Sequence, residues 1–318
     1  MYSMSKLTLL LCTLNLMFGS TAQALVVHDQ SGRAVEPRIP FGATDLVPTG
    51  KGWGQRPISG EAKGQGGGPK YTNGINYHNG PLILGSAHVY YIWYGNWSGN
   101  TAPTILNNFA SLVGGSPYYD INTTYYDVNK NFVSNAVVNM GAGTDNYSQG
   151  TALSDASVKT VVANQISSGS LPRDTNAVYF VLTSADVTET SGFCTQYCGW
   201  HTHGSIAGAD IKYAFVGNPD QCPSACSAQT TSPNGNAGAD GMANIIGHEL
   251  EEAVTDPDLN AWYDNQGMEN ADKCAWTFGT TYTTSNGAKA NMSLGGVNYL
   301  IQQNWVNAKG GYCALSYP

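Results

Sequence analysis

One stretch of the chain sets a histidine and two carboxylates at the spacing of a metal-dependent hydrolase. It runs Asp240-Gly241-Met242-Ala243-Asn244-Ile245-Ile246-Gly247-His248-Glu249-Leu250-Glu251-Glu252-Ala253-Val254-Thr255-Asp256-Pro257. Asp240 is a suitable N-cap and Pro257 forces a stop, so a helix of about fourteen residues is predicted. At about 100° per residue, Met242, Ile245, Ile246, Leu250 and Ala253 share one apolar face. His248 and Glu252, one turn apart, point the same way at its edge, whereas Glu249 falls inside the apolar arc. A buried carboxylate without a partner is costly, so its placement calls for a ligand, either a metal or a water bound beside one. In H-E-x-x-H sites two ligands stand at i and i+4 with the Glu as general base between them. Here the pattern is H-E-x-x-E, with Glu252 in the second ligand position, and carboxylate oxygen is a legitimate zinc ligand. The competing reading is a solvated, Glu-rich helix face with one core histidine.

The residues that follow favour a cation. From Glu249 to Asp272 there are eight acids in twenty-four residues, with no Lys or Arg among them. Such density repels itself unless positive charge compensates it. Three acids are candidates for a third ligand. Asp258 lies ten residues after His248, the spacing of the longer H-E-x-x-H-x-x-G-x-x-H pattern, although Thr255 replaces its glycine. Glu269 could be returned to the helix by a short turn, and Asp256 is the remaining choice. Glu269 is preferred, because Asp258 follows a helix-breaking proline. His201 and His203, in Cys198-Gly199-Trp200-His201-Thr202-His203-Gly204, would face one side of an extended segment and could supply one metal ligand or a donor that stabilises an oxyanion. His28, His78 and His88 stand alone and read as incidental.

These residues predict a zinc-dependent hydrolase, most simply a peptidase. His248 and Glu252 would hold the ion, Glu269 or another acid would complete the site, and Glu249 would take the proton of a water polarised by it. Two rivals remain open. One is a non-catalytic extracellular protein whose acids bind Ca²⁺ and whose Trp93, Trp97 and Trp262 could stack on a cell-wall glycan, although core packing is the simpler role for them. The other is a stable scaffold kept soluble by its acids.

Composition narrows the partners. Among 318 residues there are 14 Lys+Arg and 22 Asp+Glu, a net charge of −8, so no nucleic-acid partner is expected. Residues 25–75 carry six basic and four acidic residues and the run Gly64-Gln65-Gly66-Gly67-Gly68-Pro69, and read as a leader, linker or pro-segment. The remaining mature chain, residues 76–318, has seven basic and eighteen acidic residues. Residues 1–24, with Lys6, an apolar run from Leu7 to Phe18 and Ala22-Gln23-Ala24, read as a signal peptide. Export follows, to the extracellular space or a periplasm, with no membrane attachment once the signal is removed and a protein or cell-wall substrate. Cys12 leaves with the signal. Cys194, Cys198, Cys222, Cys226, Cys274 and Cys313 then read as three disulfides of unspecified connectivity rather than a thiolate metal site.

The elements that must position this chemistry follow a mixed α/β pattern. His88–Tyr94, Ala177–Leu182 and Ile211–Val216 read as strands, Tyr125–Met140 as two short ones, and Ile105–Val113 and Ala152–Ile166 as helices. The fold class is α/β (α+β), a central mixed sheet flanked by helices and stapled by disulfides.

Across residues 77 to 313 the chain resembles the EXORDIUM / phosphate-induced protein family of secreted proteins. The resemblance is carried by Tyr77-His78-Asn79-Gly80-Pro81-Leu82, Tyr91-Ile92-Trp93-Tyr94-Gly95, Val181-Leu182-Thr183, Gly192-Phe193-Cys194-x3-Cys198-Gly199, His203-Gly204-Ser205, Val216-Gly217-Asn218, Gln221-Cys222-Pro223, Pro233-Asn234-Gly235, Gly238-x-Asp240-Gly241-Met242 and Tyr299-Leu300. It implies an extracellular or cell-wall location and, in plants, a role in growth without an assigned reaction. The plant pattern is expected to lack His248, Glu249 and Glu252. The stretch from His248 through Trp262, Asp264, Glu269, Asp272 and Cys274 resembles instead microbial relatives that look like metallohydrolases, so a zincin-like fold is expected and the growth role is not carried over.

Overall fold

The computed structural model describes residues 27–29, 31–35, 46–51 and 74–318. Residues 1–24, read above as a signal peptide, and most of residues 25–75, read as a leader, linker or pro-segment, lie outside the described residues. The centre is a five-stranded sheet. Its strands are β1 (Ala87–Tyr94), β2 (Val137–Asp145), β3 (Ala177–Thr183), β4 (Gly199–Ile206) and β5 (Ala209–Val216), in the order β2-β1-β3-β5-β4. The first four in that order are parallel, and β4 runs antiparallel to β5 at the edge. All seven residues of β3 are buried, as a parallel strand covered on both faces must be. β4 and β5 are joined through Ala207 and Gly208, both at positive φ (50° and 75°), the backbone that a two-residue hairpin needs.

Three helices cover this sheet: α1 (Ala102–Leu112), α2 (Asp155–Ser167) and α3 (Ala237–Thr255). α1 and α3 pack side by side, and α3 also lies against β3, β4 and β5. The parity of two glycines in β4 separates the layers. A Cβ on Gly199 would meet Ile245 of α3 at 2.5 Å, and one on Gly204, on the opposite face of the strand, would meet Lys159 of α2. A mixed sheet flanked by helices is therefore the observed class.

Several boundaries differ from the sequence reading. α2 starts at Asp155 because the Ser154 side chain accepts from Ser157 N–H, while Ala152–Leu153 pairs with Thr188–Glu189 as a short parallel strand. The Tyr125–Met140 region holds a Tyr126–Phe132 bridge followed by the long strand β2, not two short strands. α3 has 19 residues, five more than about fourteen, because Asn236 rather than Asp240 caps it, accepting from Ala239 N–H at 3.0 Å. Asp240 instead binds Ser232 and Asn234. Trp93 and Trp262 are buried, and Trp262 packs among Tyr77, Tyr125 and Tyr126, so neither offers a face to a sugar.

Two described pieces of the leader are packed against the body. Val27–His28 pairs with Ala34–Val35, and Arg33 ties this hairpin to Asp120 at 3.0 Å and lies over Tyr317. Residues 46–51 pass beside β4, where His201 N–H donates to the Gly50 carbonyl at 3.0 Å.

The six cysteines form three disulfides: Cys194–Cys222, Cys198–Cys226 and Cys274–Cys313. The second joins the residue before β4 to the short helix Pro223–Cys226 that precedes α3, and so couples the two elements that face each other at Gly199. The double variant Cys198→Ser/Cys226→Ser opens a 28-residue separation. Because Cys194–Cys222 remains and closes the chain four residues away on either side, the ring lost is about ten residues, and the stability measured in urea should fall by about 2.7 kcal/mol, the value chain entropy assigns to such a ring. An unchanged urea midpoint would show that this bridge does not hold β4 to the region entering α3.

Candidate metal centre

α3 is buried along almost its whole length, which an amphipathic surface helix is not. Burial of Ile245, Ile246, Leu250 and Val254 stabilises it by about 1.5–3 kcal/mol per side chain and offsets the cost of the carboxylates carried on the same helix. Gly199 makes one of these positions possible: a Cβ there would come within 3.0 Å of Glu249 Oε1. His201, two residues along β4, faces the same helix.

The remaining wall is a return turn. The Asp264 carboxylate accepts from the backbone N–H of Gln266 and Met268, Gly267 turns at φ 77°, and Asp264 Oδ2 pairs with Lys273 Nζ at 3.0 Å in the interior. This reversal brings Glu269 and Asp272 back to α3. Asp272 N–H donates to Glu252 Oε1 at 3.0 Å.

Glu252 stands at the middle of two overlapping groups. On one side His248 Nε2 lies 3.0 Å from Glu252 Oε1 and 3.5 Å from Asp272 Oδ1. On the other, His201 Nδ1 lies 3.4 Å from Glu249 Oε2 and 3.5 Å from Glu252 Oε2, and its Nε2 lies 3.4 Å from Glu269 Oε1. Within each of the triads His248–Glu252–Asp272 and His201–Glu249–Glu252, the ligand atoms lie within 4.8 Å of one another. Both nitrogens of His201, Glu249 Oε2, Glu252 Oε2, Glu269 Oε1 and Asp256 Oδ2 are buried and have no hydrogen-bond partner among the described residues. Buried polar atoms are normally satisfied, and this convergence of nitrogen and oxygen donors fits a divalent cation of the zinc type. The Gln302 amide meets His248 Nδ1 at 2.7 Å. The same Gln302 Nε2 donates to the Ala271 carbonyl at 3.3 Å, so the amide holds the His248 ring in place with Nε2 turned toward Glu252.

The electrostatics carry the same imbalance. Burial pulls His201 down, but Glu269, Glu249 and Glu252 reverse this and hold it well above the usual histidine range. His248 behaves alike through Glu252, Asp272 and Glu249. Burial pushes Glu249 up to about 7 against the pull of His201 and His248. It pushes Asp256 to about 7 as well, although the N–H groups of Ala261 and Asn260 oppose it. Glu269 is raised well above the carboxylate range, first by burial, and Asp272 is raised by burial and by Glu252. Burial acts on Glu252 too, yet His248 and His201 hold it down at about 2.

Not all eight acids belong to this centre. Asp264 is taken by Lys273, and Glu251 accepts from Asn304 Nδ2 at 2.5 Å. Asp258 and His203, both expected near the helix, meet each other at 3.5 Å in a separate, more exposed group with Asp210 and Lys212. They are separated from the centre because Pro257 turns the chain away, and because β4 carries His203 past α3. Asp256 lies beside the centre with Oδ1 spent on the N–H groups of Asn260 and Ala261. Glu269, the preferred third ligand, faces His201. The acid beside His248 and Glu252 is Asp272, which sequence reasoning counted among the acids without giving it a role. Gln302 was missed entirely, and no spacing signal marks it.

The model of the phosphate-induced protein 1 conserved region matches residues 75–302. The protein EXORDIUM-like 5 of Arabidopsis thaliana is 33% identical over 73% of this chain and 75% of its own length. EXORDIUM-like 3 of the same plant is 32% identical over 75% and 82%. PHOSPHATE-INDUCED 1 of Nicotiana tabacum is 28% identical over 63% and 71%. No solved structure matches the chain.

Without a cation, this centre is balanced by protons. Glu249 and Asp256 titrate near 7 when folded and near their ordinary values of 4.5 and 3.8 when unfolded. Between about pH 4 and 7 the folded state therefore binds more protons, and stability falls as pH rises, by up to about 1.4 kcal/mol per unit for each group. His201 and His248 act with the same sign at higher pH, whereas the contribution of Glu252 is lost only on acidification below its ordinary range. Chelator-treated protein should show a urea midpoint that decreases from pH 5 to pH 8, and Glu249→Gln should flatten the lower half of that decline. A midpoint that rises over this range would contradict the proton inventory.

Proposed function

The chain belongs to the phosphate-induced protein 1 family, and from that premise we propose that it is an exported zinc-dependent hydrolase, a metallopeptidase with a zincin-like arrangement of helix and edge strand. One observation carries the reading: two imidazoles and four carboxylates from α3, β4 and the return turn converge in the interior, and both His201 nitrogens with one oxygen each of Glu249, Glu252 and Glu269 lack hydrogen-bond partners among the described residues. His248 and Glu252 would hold the ion with Asp272 beside them. When bound, zinc polarises a carbonyl and acidifies water. Glu249, held near neutrality by burial, takes a proton at Oε2 and delivers it to the leaving amine. His201, positively charged among three carboxylates, faces the same space and donates to the oxyanion as it develops.

Export is supported by three disulfides, which persist in oxidising compartments. Among the described residues no helix is long and apolar enough to cross a membrane.

A second reading draws on one feature, the burial of every donor at the centre. In that case a cation would be purely structural, in a non-catalytic extracellular protein that binds a wall glycan or receptor. Calcium would suit the carboxylates but not the histidines.

The two readings separate on paired variants. His248→Ala should lose both bound zinc and hydrolysis of an unfolded protein substrate. Glu249→Gln should retain zinc while hydrolysis drops about 10²–10⁴-fold, the range for a general base. A protein purified without transition metal would overturn the proposal, and zinc that is retained with no hydrolysis even in the unmodified chain would favour the structural reading.

A further inference from the structure

β4 is an edge strand, and such an edge presents unpaired backbone groups able to bind another extended chain. Here residues 46–51 lie against it. Besides the bond from His201 N–H to Gly50, the approach is so close that a Cβ on Gly50, at φ 66°, would lie 2.0 Å from the His201 carbonyl oxygen. The next residue, Lys51, reaches an acidic recess where Nζ meets Asp155 Oδ2 and Ser191 Oγ, each at 2.6 Å. Glu189 forms the recess floor, 2% exposed, and accepts from Ser191 N–H and the Tyr197 hydroxyl. Lys51 also lies over the rings of Tyr197 and Trp200. At the other end Leu46 N–H donates to Asn265 O, and Gly267 approaches the Leu46 and Val47 carbonyls. The segment thus spans from the strand that carries His201 to the turn that returns Glu269. Pro48 and Gly50 are buried, while Leu46 and Val47 face solvent.

We propose that Leu46–Lys51 occupies the docking track of an extended polypeptide substrate and holds the protein in a covered, latent state. The track accepts a glycine opposite the His201 carbonyl and a basic side chain in the Asp155–Ser191–Glu189 recess. This names the substrate form for the hydrolase reading and rests on it for the chemistry after docking. The docking itself depends on backbone pairing at β4 and on the recess, neither of which involves His248 or Glu252.

The test uses the full chain, the variant Lys51→Glu, which opposes the recess with like charge, and Gly50→Ala, which forces the segment off the edge sterically. Both variants should accelerate deuterium exchange at the His201 amide by about tenfold or more, with β3 amides unchanged, as expected for a local opening. A labelled peptide of sequence Leu-Val-Pro-Thr-Gly-Lys should bind both variants and not the unmodified chain, and replacing its lysine by glutamate should weaken binding about tenfold. Equal exchange at His201 in all three proteins, or a peptide that binds none of them, would overturn the proposal. Peptide binding by variants that contain no zinc would leave the docking track standing and overturn the hydrolase reading alone. Zinc and Glu249-dependent hydrolysis without peptide binding would do the reverse.

Discussion

Negative charge buried under an apolar wall governs this molecule. Glu249, Glu252, Asp256, Glu269 and Asp272 lie around His201 and His248, so even two fully charged imidazoles leave an excess of carboxylates. In the interior such an excess cannot persist. Either protons neutralise it, as burial favours by raising Glu249, Asp256 and Glu269, or a dication replaces those protons. The alternatives are linked, because a cation that binds the cluster must expel the protons that otherwise hold it together.

The architecture serves that constraint. A helix can carry four ionisable groups, His248, Glu249, Glu251 and Glu252, into a core only if the rest of its surface is buried in compensation, and α3 achieves this by packing on the sheet and on α1. The Cys198–Cys226 bridge and the glycine at position 199 allow β4 to lie directly over Glu249. The Asp264–Lys273 pair closes the return turn from below. Each of these features sets a distance within the cluster, so mispositioning any one of them would leave charge buried without its neighbour.

Much of this arrangement was legible in the sequence, and the exceptions have physical reasons. The strands His88–Tyr94 and Ala177–Leu182 were readable because doubly covered parallel strands are continuously apolar. Glu249 stood out because a carboxylate interrupted an apolar arc. The N-cap was misplaced because Asn236 and Asp240 are both good caps, and only the Ser232 and Asn234 contacts decide between them. Glu269 and Asp272 lie within one turn of chain and both return to α3; the backbone bond from Asp272 to Glu252 sets Asp272 beside His248, while Glu269 faces His201, a division no spacing in the sequence reveals. His201 and His203 have identical local sequence signals, but only one of them lies under the helix. Residues 46–51 carried no periodic pattern, since their placement depends on backbone bonds to His201 and Asn265 rather than on side-chain burial.

Zinc-edge X-ray absorption of the purified, unchelated protein tests the central claim most directly. The account predicts about one zinc per chain, with nitrogen and oxygen neighbours at about 2.0–2.2 Å and no sulfur shell near about 2.3 Å, because all six cysteines among the described residues are in disulfides. A sample with no zinc, or with sulfur in the first shell, would contradict it.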